Sequence, residues 1–180
     1  LAELGQGHGF AAEVVHAVSD SGGVISSTRI REALRDGEVA AATALLTRPY
    51  SIRGEVQHGA KLGRTLGFPT ANMVLGAYLR PRSGVYAVRA RLGDGSHVDG
   101  VANLGIRPMI EPVVELLETF LFDWAGDLYG QTIDIELVEF LRPEWKLDGL
   151  DALKAQIAVD SDNARAALAR SACKVRSAWA

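Results

Sequence analysis

From residue 50 onward the chain alternates apolar and polar positions in short runs broken by turn residues, and this pattern predicts strands. They fall near Tyr50–Gln57, Gly84–Leu92, His97–Asn103, Val113–Phe122 and Thr132–Phe140, with a Gly-rich and then extended segment over Leu62–Met73. Gly93-Asp-Gly95 marks a hairpin. Five or six antiparallel strands at this spacing favour a closed barrel, which removes exposed edges. A helix is predicted from about Leu150 to Arg170, with Asp148 as its N-cap and Leu150, Leu153, Ile157 and Ala158 on the face that packs on the barrel. Before residue 50 the texture differs. Residues 1–24 are Gly- and Ala-rich, with an apolar stretch around Ala12–Val18 that suits a strand with turns. Ser26 or Ser27 caps a helix over Arg29–Arg35 that Gly37 ends, a second short helix follows over Glu38–Leu46, and Pro49 closes the region.

Composition narrows the class without naming a partner. With 180 residues, 48% hydrophobic and 23% charged, the chain is an ordinary globular protein of one domain, or one domain plus a fragment. The net charge of −3 and the absence of a basic-aromatic stripe argue against nucleic acid, including an oligonucleotide-binding barrel. No apolar run approaches the roughly 20 residues of a membrane helix. The single cysteine, Cys173, has no internal partner for a disulfide, so a cytoplasmic location is expected.

Two stretches carry candidate chemistry. In Gly63-Arg-Thr-Leu-Gly-Phe-Pro-Thr-Ala-Asn72, glycines let backbone approach a ligand closely, and Lys61 and Arg64 add positive charge, a combination that suits a polyphosphate. The same glycines and bases also suit a solvated hairpin loop. Pro69 biases Phe68 to extension, and alternation then points Thr70 and Asn72 the same way. A hydroxyl and an amide carbonyl are neutral hard oxygens that fit Mg²⁺ arriving with a triphosphate, or that simply cap a turn. In Val114–Phe122, one parity holds Val114, Leu116, Glu118, Phe120 and Phe122. Glu118 is the single charge on that apolar set, where a carboxylate is costly without a partner. It is a candidate general base toward a hydroxyl, or a structural glutamate paired with an arginine. Glu115 shares its parity with Thr119 and Asp123 and reads as solvated.

Together these residues resemble the riboflavin kinase family, over roughly Arg48 to Arg165. The decapeptide 63–72 is the most specific piece, followed in family order by Gly84-Val-Tyr-Ala-Val88, Asn103-Leu-Gly-Ile-Arg-Pro108, Leu117-Glu-Thr-Phe-Leu-Phe-Asp123, Asp127-Leu-Tyr-Gly130 and Leu141-Arg-Pro-Glu-Trp-Lys146. The resemblance implies a mainly β fold: a six-stranded antiparallel Greek-key barrel with a C-terminal helix, preceded by a short helical segment. It implies transfer of the ATP γ-phosphate to the ribityl 5′-hydroxyl of riboflavin, giving FMN, with Mg²⁺. The Gly63–Gly67 loop corresponds to the flap over the nucleotide, with Gly59, Lys61, Gly63, Arg64, Thr65 and Gly67 as nucleotide-binding residues, Thr70 and Asn72 to the Mg²⁺-nucleotide ligands, and Glu118 to the catalytic base. Tyr129, Trp145 and Arg165 are candidates for contact with the flavin. Met109, where the family usually has threonine, and the short Met109–Val113 connection depart from the pattern.

Ile25-Ser-Ser-Thr-Arg-Ile-Arg31 is similar to a nucleotidyltransferase signature that ends the FMN adenylyltransferase domain of bifunctional FAD synthetases. A helix start capped by Ser26, Ser27 or Thr28 and carrying Arg29 suits an anion. The implied division is 1–47 as a remnant of that domain, 48–172 as the kinase, and 173–180 as a tail. His8 lacks the context of that domain's nucleotide motif, so no adenylyltransferase activity is expected. The alternative reading is a barrel that binds flavin or nucleotide without catalysis.

Overall fold

The computed structural model describes residues 2–11, 13, 15–59, 63, 67–107 and 114–177. The chain runs α1 (Ala2–Gly7), β1 (Ser19–Asp20), β2 (Gly23–Val24), α2 (Ser27–Asp36), α3 (Val39–Leu46), β3 (Tyr50–Glu55), β4 (Thr70–Val74), β5 (Gly84–Arg91), β6 (His97–Arg107), β7 (Val114–Leu121), β8 (Thr132–Arg142) and α4 (Gly149–Ser177). Six strands form one antiparallel sheet in the order β3-β8-β5-β6-β7-β4. The meander β5-β6-β7 with β8 returning beside β5 is a Greek key. The sheet curls into a half-barrel rather than closing along two full strands. Its edges meet at one bridge, where the Gln57 N–H donates to the Asn72 carbonyl at 2.8 Å.

The two faces of this sheet are both apolar, for different reasons. The inner face packs Ile52, Met73, Tyr86, Val88, Leu104, Leu117, Ile135 and Leu137 into the main core. On the outer face Val85, Ala87, Val101 and Phe122 meet Ala164, Ala167 and Leu168 of α4. The alanines on both sides let helix and sheet approach closely. Helix α4 therefore docks through its middle turns, while Leu150 is 55% exposed and Ala158 is also exposed. The stripe expected from Leu150, Leu153, Ile157 and Ala158 is thus displaced toward the C-terminus, because the first turns lie beyond the strands that α4 covers. A buried ion pair, Arg142 with Asp160 at 2.6 Å, joins the end of β8 to α4.

The N-terminal region is tied to the half-barrel. Ser26 caps α2 by accepting from the Arg29 N–H at 3.3 Å, and Gly37 ends it with φ 82°. The Glu38 N–H donates to Ala33 and the Gly37 N–H to Leu34, the paired bonds of a Schellman ending. Helix α3 then places Val39, 2% exposed, in the main core. The Arg82 N–H donates to the Leu34 carbonyl at 2.9 Å and holds α2 against the segment before β5. Residues 1–24, expected as a strand with turns, hold the hairpin β1-β2 and also the helix α1. Of the apolar stretch 12–18, residues 12 and 14 lie outside the described residues.

Candidate active site

Strand register builds a polar row on the outer face. Asn72 of β4 pairs with Glu118 of β7, and Glu118 pairs with Asn103 of β6. Directly opposed residues on antiparallel strands point to the same side with Cβ atoms about 4.5–5.5 Å apart. The three side chains therefore stand in one line as amide, carboxylate, amide. Thr70 faces Phe120 one step along the same strands. Thr70, Asn72 and Glu118 are thus gathered on one wall.

Which face this wall occupies differs from the sequence expectation. The parity of Glu118 is the outer one. The other parity, that of Glu115, is the core: Leu117, Thr119 and Leu121 are buried, and Thr119 is 1% exposed. Glu115 pairs with Arg80 at the strand's edge. Alternation assigns residues to shared faces but cannot say which face is inside when a helix covers part of the outside as well.

Asn72 is 5% exposed, and Gly59, in the segment after β3, lies against it. A Cβ on Gly59 would sit 2.5 Å from Asn72 Nδ2, so only glycine allows this approach. Asn72 Nδ2 donates to the Thr70 carbonyl at 3.3 Å, which uses one hydrogen of the amide and leaves Oδ1 as its acceptor atom. Gly63 lies close to Thr70: a Cβ there would meet Thr70 Oγ1 at 3.4 Å. Gly67 has φ 89°, a conformation that favours glycine. Lys61, Arg64 and Thr65 lie outside the described residues, as do Met109 and the 109–113 connection. The donor set Thr70 Oγ1 and Asn72 Oδ1, two neutral hard oxygens beside a carboxylate, fits Mg²⁺ that brings further oxygens on phosphates.

Aromatic rings and a cation bound the row on the α4 side. Phe68 meets Phe120 edge-on at 5.2 Å, and Phe120 meets Phe122 at 5.8 Å. The Arg165 guanidinium lies 4.2 Å from the Phe122 ring centre and donates to Asp123 at 2.7 Å. That bond holds the Asp123 carboxyl below its ordinary range and raises the guanidinium. Trp145, 53% exposed, lies under the Arg142 guanidinium at 4.5 Å. Tyr129 stacks on His58 at 3.8 Å and packs toward the main core. Tyr129 precedes and Trp145 follows the 11-residue strand β8, so they flank its opposite ends. The three flavin candidates are therefore not gathered at one point.

Near the N-terminus, Arg29 donates to both Asp20 oxygens, at 2.9 and 3.0 Å, and to the Gly23 and Val24 carbonyls. Its side chain fastens the β1-β2 hairpin, and the pairing lowers the Asp20 carboxyl. Ser27 accepts from Arg31 at 3.1 Å, and Thr28 lies in the first turn of α2.

Sequence reasoning missed Asn103 as a member of the row, and Glu144, which accepts from Asn103 Nδ2 at 3.1 Å. Only register and a contact spanning 41 residues bring them together. Gly105 inside β6 was the available signal, since glycine within a strand marks close approach of another group.

Known proteins resemble this chain over most of its length. The family model described as Flavokinase, riboflavin kinase, matches residues 46–168. A bifunctional riboflavin kinase/FMN adenylyltransferase of Haemophilus influenzae is 49% identical over 79% of this chain and 46% of its own. Its Escherichia coli counterpart is 45% identical over 92% of this chain and 53% of its own. The chain thus spans about half the length of these curated relatives. The crystal structure of a macrolide-efflux protein from Streptococcus pneumoniae is similar too, at 37% identity and TM-score 0.76, covering 84% of this chain and 50% of that one. Among the described residues, no helix is long and apolar enough to cross a membrane.

Proposed function

The chain belongs to the riboflavin kinase family, and from that premise we propose that it transfers the γ-phosphate of MgATP to the 5′-hydroxyl of riboflavin, giving FMN. The observation that carries this reading is the register Asn72–Glu118–Asn103, which sets one carboxylate beside the neutral oxygens suited to a metal-bound triphosphate.

Thr70 Oγ1 and Asn72 Oδ1 would hold the metal of MgATP. Mg²⁺ supplies charge neutralisation across the transferring phosphoryl group when bound. The glycine-rich segment after β3 offers backbone N–H groups to the phosphates, helped by Lys61, Arg64 and Thr65. Glu118 accepts the proton of the riboflavin hydroxyl as the hydroxyl oxygen bonds to the γ-phosphorus and ADP leaves. Most of the acceleration comes from positioning and electrostatics, and the base adds about 10²–10⁴-fold. Incubation with riboflavin and MgATP, followed by chromatography, tests this. FMN at enzyme-like rates is expected, and its absence from a folded, riboflavin-binding chain leaves a barrel that only binds.

Residues 1–47 form the end of an adenylyltransferase domain, and 48–172 the kinase. The internal pairing of Arg29 with Asp20 supports a structural part for that arginine in this chain. FAD formation from FMN and ATP is expected to be absent, and turnover in that assay refutes this. The lone Cys173 supports a cytoplasmic setting.

A further inference from the structure

The turn Asp127-Leu-Tyr-Gly130 has no part in the reaction above, yet it is tied to the metal side of the polar row. Leu128 is buried in the main core, 8% exposed, and fixes the turn to the half-barrel. Asp127 Oδ1 accepts from the Tyr129 N–H at 3.0 Å, and the Leu128 carbonyl accepts from the Gln131 N–H at 2.9 Å. Gly130 closes the turn at φ 75°. Two main-chain bonds then lace it to the chain leaving β3. The Gly130 N–H donates to the Val56 carbonyl, and the Val56 N–H to the Gln131 carbonyl, each at 2.9 Å.

The next three residues carry this anchorage to Asn72. The Gln57 N–H donates to the Asn72 carbonyl at 2.8 Å. Gly59 lies so close to the Asn72 side chain that a Cβ on it would stand 2.8 Å from the amide carbon. Between them the His58 ring stacks on Tyr129, with centroids 3.8 Å apart and planes tilted by 33°. His58 is exposed, so its place is set by the ring beneath it and not by enclosure in the core.

The geometry makes the stack more than an ornament of the surface. A bond at residue 57 leaves the following dihedrals free, and glycine has the widest choice of them. Gly59 therefore keeps its approach to Asn72 only if residue 58 is held. The Asn72 amide is confined on one side by its bond to the Thr70 carbonyl and on another by Gly59. The direction of Oδ1 thus depends on where the 57–59 segment stands. Resting on the kinase reading, we propose that His58 is a positioning residue for the nucleotide side of the reaction. Seated on Tyr129, it sets the 57–59 segment against Asn72 and so aims the amide oxygen that would meet the metal of MgATP. Tyr129 is the seat of this contact and not part of the flavin site. Neither ring touches the reacting atoms; both act through Asn72.

The test is run on the full chain. Calorimetric titration with MgADP is repeated with ADP in a chelator, beside a riboflavin fluorescence titration and steady-state FMN formation. His58→Ala is expected to weaken MgADP about threefold to tenfold, the range that one aromatic contact supplies. The KM for MgATP rises by a similar factor, while kcat and the riboflavin Kd stay within about twofold. With the metal chelated, the difference between parent and variant shrinks, because Asn72 Oδ1 acts through the metal. His58→Phe keeps a ring face for Tyr129 and is expected to return MgADP affinity close to that of the parent. Tyr129→Ala acts in the same direction as His58→Ala, and the double variant is no worse than the weaker-binding single, as for groups acting as a unit. Because His58 is exposed, its variants decide the question even if Tyr129→Ala does not fold. Parent-like MgADP affinity in His58→Ala overturns the proposal. Failure of His58→Phe to restore affinity overturns it too, since the imidazole itself then meets the nucleotide. An equal loss for riboflavin, or a difference that survives chelation in full, also overturns it. A wild-type chain that binds MgADP but makes no FMN defeats the kinase reading alone, and the MgADP titrations still decide His58. A wild-type chain that binds no MgADP overturns the positioning outright.

Discussion

Strands β4, β7 and β6 carry two parallel rows that differ by one residue in each chain position. The inner row is Ala71, Thr119 and Ala102; the outer row is Asn72, Glu118 and Asn103. The inner row lies in or beside the main core, and its one hydroxyl, Thr119 Oγ1, is buried with no partner among the described residues. The outer row holds three polar groups side by side, with Gly59 against the first. The inner positions are small and nearly apolar because the curled sheet leaves little room behind them. The outer positions carry desolvated amides and a carboxylate, which no packing argument favours. Chemistry is therefore concentrated on the face where the fold alone would place apolar groups, and the backbone that bears it is stiffened from the opposite side.

That contrast can be broken from either row. The largest expected effect on stability is on the inner side: Leu117→Ala, next to Glu118 and fully buried, should cost about 2–5 kcal/mol in denaturant unfolding. Substrate affinities at low temperature should stay near wild type in the folded fraction. Next, Asn72→Ala removes an outer amide. It should weaken MgATP binding about tenfold, roughly 1.4 kcal/mol, in a titration with metal present, and should change little when metal is chelated. Unchanged MgATP affinity removes the metal role from Asn72. Smallest is Thr119→Val, which exchanges an unpartnered buried hydroxyl for a methyl. It should stabilise the fold by about 1 kcal/mol and leave turnover unaffected. A loss of turnover there would extend the site to the inner row.

How much of this was legible in the sequence follows from the range of each contact. The helix ends were, because Ser26 and Gly37 act on neighbours three or four residues away. The strands were, because alternation is local; β6 and β8 extend further than expected where their ends stay paired. Membership of a face was legible for Val114–Phe122, but not its direction, since α4 buries Phe122 on the outside while Leu117 and Leu121 fill the inside. The docked stripe of α4 was misplaced for the same reason: a helix pattern does not show where the sheet beneath it ends. Glu118 stood out as a lone charge among apolar residues, whereas nothing local set Asn103 or Glu144 apart. Their meeting depends on sheet order and on the Arg142–Asp160 pair, both long-range. Gly59 and Gly105, each pressed by a side chain from elsewhere, were the local traces of those contacts.

The most direct test of the division between the rows is kcat for FMN formation by Glu118→Gln, measured beside its melting temperature. The account predicts turnover reduced about 10²–10⁴-fold, with riboflavin and MgATP still bound and a melting temperature close to that of the parent chain. A kcat near the parent value, in a variant that melts normally, would contradict it.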